Sequence, residues 1–142
     1  KGSVHIQSKD LHVQPEINPN YLSHTTDKKV AADSIKLARK IISQPGMKKY
    51  NPVEYAPGAN FRTDDELEKV AGDIGTTIFH PVGTCAMGIQ NDSVTKPNLK
   101  VNGVEKLRVV DASVMPSITS GNTNSPTLMI AEKASELILN EL

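Results

Sequence analysis

Two side chains in the second half of this 142-residue chain are of the types that move a proton at a small polar substrate. His80 stands in His80-Pro-Val-Gly-Thr-Cys-Ala-Met-Gly88, and Asn122 in Ser120-Gly-Asn-Thr-Asn-Ser-Pro-Thr127. An imidazole titrates near neutral pH, so His80 is the best candidate base of the chain. The proline after it holds His80 in extended backbone, and Gly83 lets the chain pass close to a ring or a substrate. Asn122 offers an amide that can hydrogen-bond a substrate oxygen but cannot take its proton. Taken alone, a His before Pro is a turn residue with a satisfied hydrogen bond, and Asn122 is a turn former. The other three histidines, His5, His12 and His24, have no metal-site spacing and read as surface or loop residues. Cys85 is the only cysteine, which excludes an internal disulfide, and it reads as a small buried filler rather than a nucleophile.

The elements that must position these residues follow from periodicity and punctuation. Residues 3–8 alternate, with Val4 and Ile6 on one face, which predicts a half-buried strand. A weaker strand over 12–17 is interrupted by Pro15, and Asn18-Pro19-Asn20 is a turn. A helix is predicted over 27–43, capped by Thr26 or Asp27, with Val30, Ser34, Leu37 and Ile41 inward; Pro45-Gly46 stops it. Residues 47–62 read as loop. Thr63-Asp-Asp-Glu66 is a capping box for a short helix with Leu67, Val70, Ala71 and Ile74 on one face. After a β-branched run at 76–79, residues 99–101 pair briefly and Asn102-Gly103 turns. Leu107–Val110 reads as a buried strand ending at Asp111. Ser125 caps a last helix with Pro126 at its first position, running to about Asn140 with Leu128, Ala131 and Ala134 inward.

Composition narrows the function classes. Lys plus Arg equals Asp plus Glu at 16 each, so no basic field invites nucleic acid or an anionic membrane. Apolar runs are too short to span a bilayer. Nine prolines and nine glycines against five aromatic residues predict many turns and few large anchors. Such a piece is expected to need a partner surface, another part of its parent or a second copy of itself.

From His80 onward the order HPVGTCAMG, LRVVDASVMPSITSGNTNSPTLMIAEKASELIL closely resembles the C-terminal segment of the glucose-methanol-choline (GMC) family of flavin oxidoreductases. The version with SGNTNSPT looks most like the choline and alcohol dehydrogenase branch. Before His80 the similarity is looser, resting on GSVHIQSKD, PEINPNYL and Pro57-Gly58. The resemblance implies an α+β chain. Residues 1–79 would be the C-terminal part of the substrate-binding domain, a portion of an antiparallel sheet with helices. Residues 80–142 would carry the active-site motif, then a strand and helix returning to the FAD-binding domain.

The same resemblance implies oxidation of the CH–OH group of choline or another primary alcohol, with FAD as cofactor and His80 as base. His80 matches the family's catalytic His within HPVGT. Asn122 matches a second active-site position that is His in some members and Asn in others, which leaves His80 as the only titratable partner. Asp111 and Ala112 match a turn that contacts FAD, mostly through backbone; Asp111 also suits a cap on the next turn. The start of the last helix, with Asn124, Pro126 and Thr127, either points its free N–H groups at the flavin's pyrimidine edge or is an ordinary capped core helix. No metal is implied. No GxGxxG fingerprint occurs, so the Rossmann-type FAD domain is expected in a missing N-terminal part. The chain alone is expected neither to bind FAD tightly nor to turn over. The implied partners are that N-terminal part, a small alcohol and an electron acceptor, oxygen or a quinone, in a cytoplasmic or membrane-peripheral setting. A cationic substrate such as choline would favour an acidic or aromatic pocket; Glu54 and Tyr55 are available, though a solvated loop suits them better. Two alternatives stand beside this reading: an FAD-containing hydroxynitrile lyase, and a non-catalytic binding or assembly module. The pairing of His80 with Asn122 argues against the module.

Overall fold

The computed structural model describes residues 1–141 and is α+β. It divides into two compact units, residues 1–76 and residues from Thr77 onward.

The first unit opens on a two-stranded antiparallel sheet, β1 (Ser3–His5) paired with β2 (Glu16–Asn18), with Val4 opposite Ile17. The first strand is shorter than its alternation predicts, and the second starts only after Pro15. Gly2 is required at the entry, because a Cβ there would lie 2.1 Å from the Asn18 carbonyl oxygen. Neither face of the sheet is covered: Val4 is 44 % exposed and Ile6 87 %, so the expected half-burial is absent. A two-stranded ribbon has too few same-face neighbours to bury an apolar row by itself.

Helix α1 (Thr25–Ile42) begins earlier than predicted, and its cap is His24. The imidazole Nδ1 of His24 accepts the Thr26 N–H at 3.2 Å, which gives a residue read as plain surface a structural task. Asp27 in the first turn and Arg39 and Lys40 in the last oppose the helix dipole. The inward face is also rotated from the predicted one. Ala32 and Ile35 pack with Leu67 and Val70 of α3 (Asp64–Ile74), whereas Val30, Leu37 and Ile41 remain more than half exposed. α1 ends before Pro45-Gly46, as predicted, and those two residues open the one-turn helix α2 (Pro45–Lys48). The capping box forms as predicted: Thr63 Oγ1 accepts the Glu66 N–H, and the Glu66 carboxylate accepts the N–H groups of Thr63 and Arg62. Those two backbone donors hold the Glu66 carboxyl below its ordinary pKa.

Between α2 and α3 the chain is bracketed by one guanidinium. Arg39 donates to both carboxylate oxygens of Glu54 at 2.8–3.2 Å, to Phe61 O at 2.8 Å and to Gly58 O at 3.1 Å. Glu54 Oε1 also accepts the Gly58 N–H, and the Ala56–Pro57 peptide is cis. The bracket holds the Glu54 carboxyl below its ordinary pKa, chiefly through the Arg39 hydrogen bonds. Of the residues 47–62 read as loop, Met47 and Lys48 belong to α2, and the rest form an ordered loop.

The second unit has one long helix, α4 (Asn124–Leu139), over irregular chain. Leu99, Val114, Met115, Ile130 and Ala134 form its core. The predicted strand at 107–110 does not form. Residues 99–101 and 107–109 meet through the single bridge Lys100–Arg108 and two flanking hydrogen bonds, Val101 N–H to Leu107 O and Val109 N–H to Leu99 O. Leu107 is 48 % exposed, so the run lacks the two-sided cover of a buried strand. The end of α4 falls where expected, but its inward face carries Ile130 and Ala134, while Leu128 is 62 % exposed. Arg108 Nη2 lies 2.6 Å from Glu141 Oε2, beside Lys100 at 2.8 Å. The two cations together hold the Glu141 carboxyl below its ordinary pKa, Lys100 contributing most.

Candidate active site

The segment that carries His80 is threaded between two supports. Gly83 adopts φ +89°, a left-handed conformation that an L side chain rarely takes, and a Cβ there would lie 3.4 Å from the Met115 carbonyl oxygen. On one side the Cys85 N–H donates to Ser113 O at 3.0 Å and the Met87 N–H to Val114 O at 2.8 Å. On the other, the Gly88 N–H donates to Thr95 O at 2.9 Å, and the Val94 N–H to Ala86 O at 3.0 Å. Thr95 is fully buried, and its hydroxyl donates to Cys85 O at 3.2 Å. Backbone groups do nearly all this work, which is how an irregular segment can be held without a sheet.

The turn that carries Asp111 is built as a cap. Residues Ala112–Val114 form a single 3₁₀ turn, and Asp111 Oδ1 accepts the Ser113 N–H at 2.8 Å together with the Ser113 hydroxyl. Ala112 and Val82 pack against the core that holds Val114 and Met115, and Ile130 and Ala134 of α4 complete it. Val82 two residues after His80, Ala112 beside Asp111, and Ile130 and Ala134 in the body of α4 thus share one core.

Their side chains stand differently. His80 is half-buried and Asn122 exposed, and among the described residues neither polar side chain has a hydrogen-bond partner. Asn124 is exposed, and Pro126 and Thr127 are half-buried. The N-cap of α4 is Thr123, not Ser125, so Pro126 occupies the third helical position, where the missing N–H is still one the helix would leave unpaired. Thr123 makes no side-chain cap, so among the described residues the first N–H groups of α4 have no capping acceptor. The Thr127 hydroxyl donates back to Thr123 O at 2.7 Å, which commits its proton to the helix.

Two residues outside the predicted set organise the site: Ser113, which links the His80 segment to Asp111, and buried Thr95. The Asp-x-Ser spacing was a readable sign of the first; Thr95 has no sequence signature. Cys85 is a free, half-buried thiol. Glu54 is committed to Arg39, so its charge is not offered to a cationic ligand. An open groove of about 650 Å³ lined by Gly88, Gln90, Asn91, Lys96 and Asn98, among others, contains none of the candidate residues. Among the described residues no three His, Cys, Asp or Glu side chains gather as a metal site, and no helix is long and apolar enough to cross a membrane.

The C-terminal family model described as GMC oxidoreductase matches residues 1–131. Over 138 residues the chain is 43 % identical to oxygen-dependent choline dehydrogenase of Escherichia coli strain K12, covering 97 % of this chain and 25 % of that protein. Its fold matches pyridoxine 4-oxidase from Mesorbium loti with a TM-score of 0.91 at 30 % identity, over 98 % of this chain and 27 % of the other. It matches formate oxidase from Aspergillus oryzae RIB40 with a TM-score of 0.90 at 30 % identity, over 99 % and 25 %. The chain therefore spans about a quarter of the length of the relatives it matches.

Proposed function

Because this chain belongs to the GMC oxidoreductase family, we propose that it is the C-terminal portion of an FAD-dependent enzyme that oxidises the CH–OH group of choline or another primary alcohol. On this reading residues 1–79 complete a substrate-binding domain, and residues 80–142 bring the active-site motif and return to an FAD-binding domain. The observation that carries the proposal is the pair His80 and Asn122. His80 stands two residues before the core-packed Val82, Asn122 stands beside buried Thr123, and both keep their polar groups unpaired among the described residues.

In the proposed reaction His80 takes the proton of the substrate hydroxyl. The Asn122 amide donates to the oxygen as it gains charge. His80 stays oriented because the chain on its C-terminal side is fixed at Pro81, Gly83, Cys85 and Met87. FAD, when bound, supplies the hydride acceptor. The chain fits that cofactor in part. The uncapped start of α4 offers N–H donors suited to an electron-rich ring edge. No glycine-rich turn is present to cradle the diphosphate.

The surface supports the need for a larger partner. The chain exposes 11278 Å² for 15.4 kDa. Two separate globules sharing that mass would expose about 8,700 Å². The excess is of the size of an obligate interface. Unmatched apolar residues such as Ile78, Phe79, Ile118, Leu128 and Met129 contribute to it. We assign that surface to the remaining part of the polypeptide, which would bring the FAD domain.

The test is FAD titration of this chain alone and of the full-length polypeptide, followed by alcohol oxidation with a dye or oxygen as acceptor. Flavin uptake and turnover by the full-length protein, with neither in the isolated chain, is the expected result. Tight FAD binding by the isolated chain would overturn the assignment of the missing part. A flavin-loaded full-length protein inert towards every primary alcohol tried would overturn the reaction.

A further inference from the structure

Phe79, the residue before His80, has φ +60°. Aromatic side chains seldom take this left-handed backbone, and it persists only where the surroundings enforce it. Burial does not enforce it here, because Phe79 is 79 % exposed. What the structure does hold is the peptide from which that conformation starts. The Phe79 N–H donates to the Thr77 hydroxyl oxygen at 3.1 Å, a threonine turn that fixes the plane of the Phe79 peptide. On the other side Pro81 confines His80 to extended backbone. Within five residues the chain is thus constrained on both sides, at the 78–79 peptide by Thr77 and at His80 by Pro81.

We propose that Thr77 is a positioning residue for the reaction placed at His80: its hydroxyl fixes the peptide plane from which Phe79 turns into the left-handed conformation, and that fixed entry aims the imidazole. This rests on His80 being the base, as above. Loss of this lock would free the 78–79 peptide to rotate and, with it, the chain entering His80. Displacements of this order at a reacting group lower the rate far more than they weaken binding.

The variants are Thr77→Val, which keeps the branched shape but removes the acceptor, and Thr77→Ser, which keeps the acceptor. Both are made in the full-length, flavin-loaded protein. For Thr77→Val we expect kcat to fall on the order of tenfold to a hundredfold, with KM and the flavin spectrum little changed. The acidic limb of the kcat/KM profile, which reports the free enzyme's base, is expected to move. Thr77→Ser restores both. Hydrogen exchange gives a readout independent of activity: the Phe79 amide exchanges roughly tenfold faster in Thr77→Val and is protected again in Thr77→Ser. Unchanged kcat and pH profile in Thr77→Val overturn the proposal, as does a loss that Thr77→Ser fails to rescue. If the wild-type protein oxidises no alcohol, the functional reading falls instead. Exchange at Phe79 then decides the lock alone, which stands if protection depends on the hydroxyl and falls if it does not.

Discussion

The two units of this chain hold themselves together in opposite ways. In residues 1–76 order comes from side chains: a capping box at Thr63, an imidazole cap at His24, and one guanidinium that brackets Glu54, Gly58 and Phe61. From Thr77 onward order comes from backbone, with Cys85, Met87, Gly88 and Val94 pinned to carbonyls of neighbouring loops and only α4 as a long regular element. The unit with the candidate active site is the one that leaves its most reactive side chains uncommitted. A frame made of peptide groups keeps imidazole and amide free for substrate, whereas a frame made of side chains uses up the groups that chemistry needs.

The sharpest way to break this contrast is to remove the free imidazole. His80→Ala in the flavin-loaded, full-length protein is expected to lower kcat by about 10²–10⁴-fold with the flavin absorbance retained. A variant with near wild-type turnover would show that the exposed side chains of the second unit are not its chemistry. Next in size is Leu67→Ala in the first unit, where a fully buried side chain joins α3 to Ala32 of α1. It is expected to cost about 2–5 kcal/mol in urea unfolding. Asp111→Ala removes a cap made by a side chain in the backbone-built unit, and should cost about 1 kcal/mol. A much larger loss in the same unfolding assay would mean that side chains matter there as much as in the first unit.

The bracket at Glu54 gives a pH signature. Its carboxyl is held below the ordinary value by Arg39, so its stabilising effect is present above the unfolded-state pKa. It is lost as pH falls through the folded-state pKa. Glu54→Gln should therefore unfold more readily than wild type at neutral pH, and the two melting curves should converge in acid. The smallest effect is expected at the exposed pairs Lys69–Asp73 and Lys133–Glu136; Lys69→Ala and Lys133→Ala should each change stability by less than about 0.5 kcal/mol.

Legibility followed the same division. Thr63-Asp-Asp-Glu66 announces its capping box because both partners are three residues apart, and the extents of α1 and α4 follow from period to within two residues although their caps do not. The inward face of α1 was misread because Val30, Leu37 and Ile41 form the more apolar stripe, yet Ala32 and Ile35 meet α3. Periodicity shows that a face is to be covered but not which part of a protein covers it. The strand expected at Leu107–Val110 failed for a related reason: its composition is that of a strand buried on both faces, and one bridge to Lys100 is all the pairing it finds. The candidate residues His80, Asn122 and Asp111 were legible as motif members. The threading that supports them was not, because backbone hydrogen bonds between distant loops leave no trace in residue type.

Arg39 has one more consequence, for how the chain meets a protease. The loop it brackets displays Val53, 90 % exposed, and Tyr55, 99 % exposed, which are cleavage-site side chains in full view. Cleavage needs several consecutive residues to leave the surface and lie extended in another active site. That opening requires the Glu54, Gly58 and Phe61 contacts to release together, because they converge on the same planar group. A lysine at this position would keep the charge but could not span the three acceptors. Residues 53–61 are thus expected to resist nicking only while the fork of a single side chain holds.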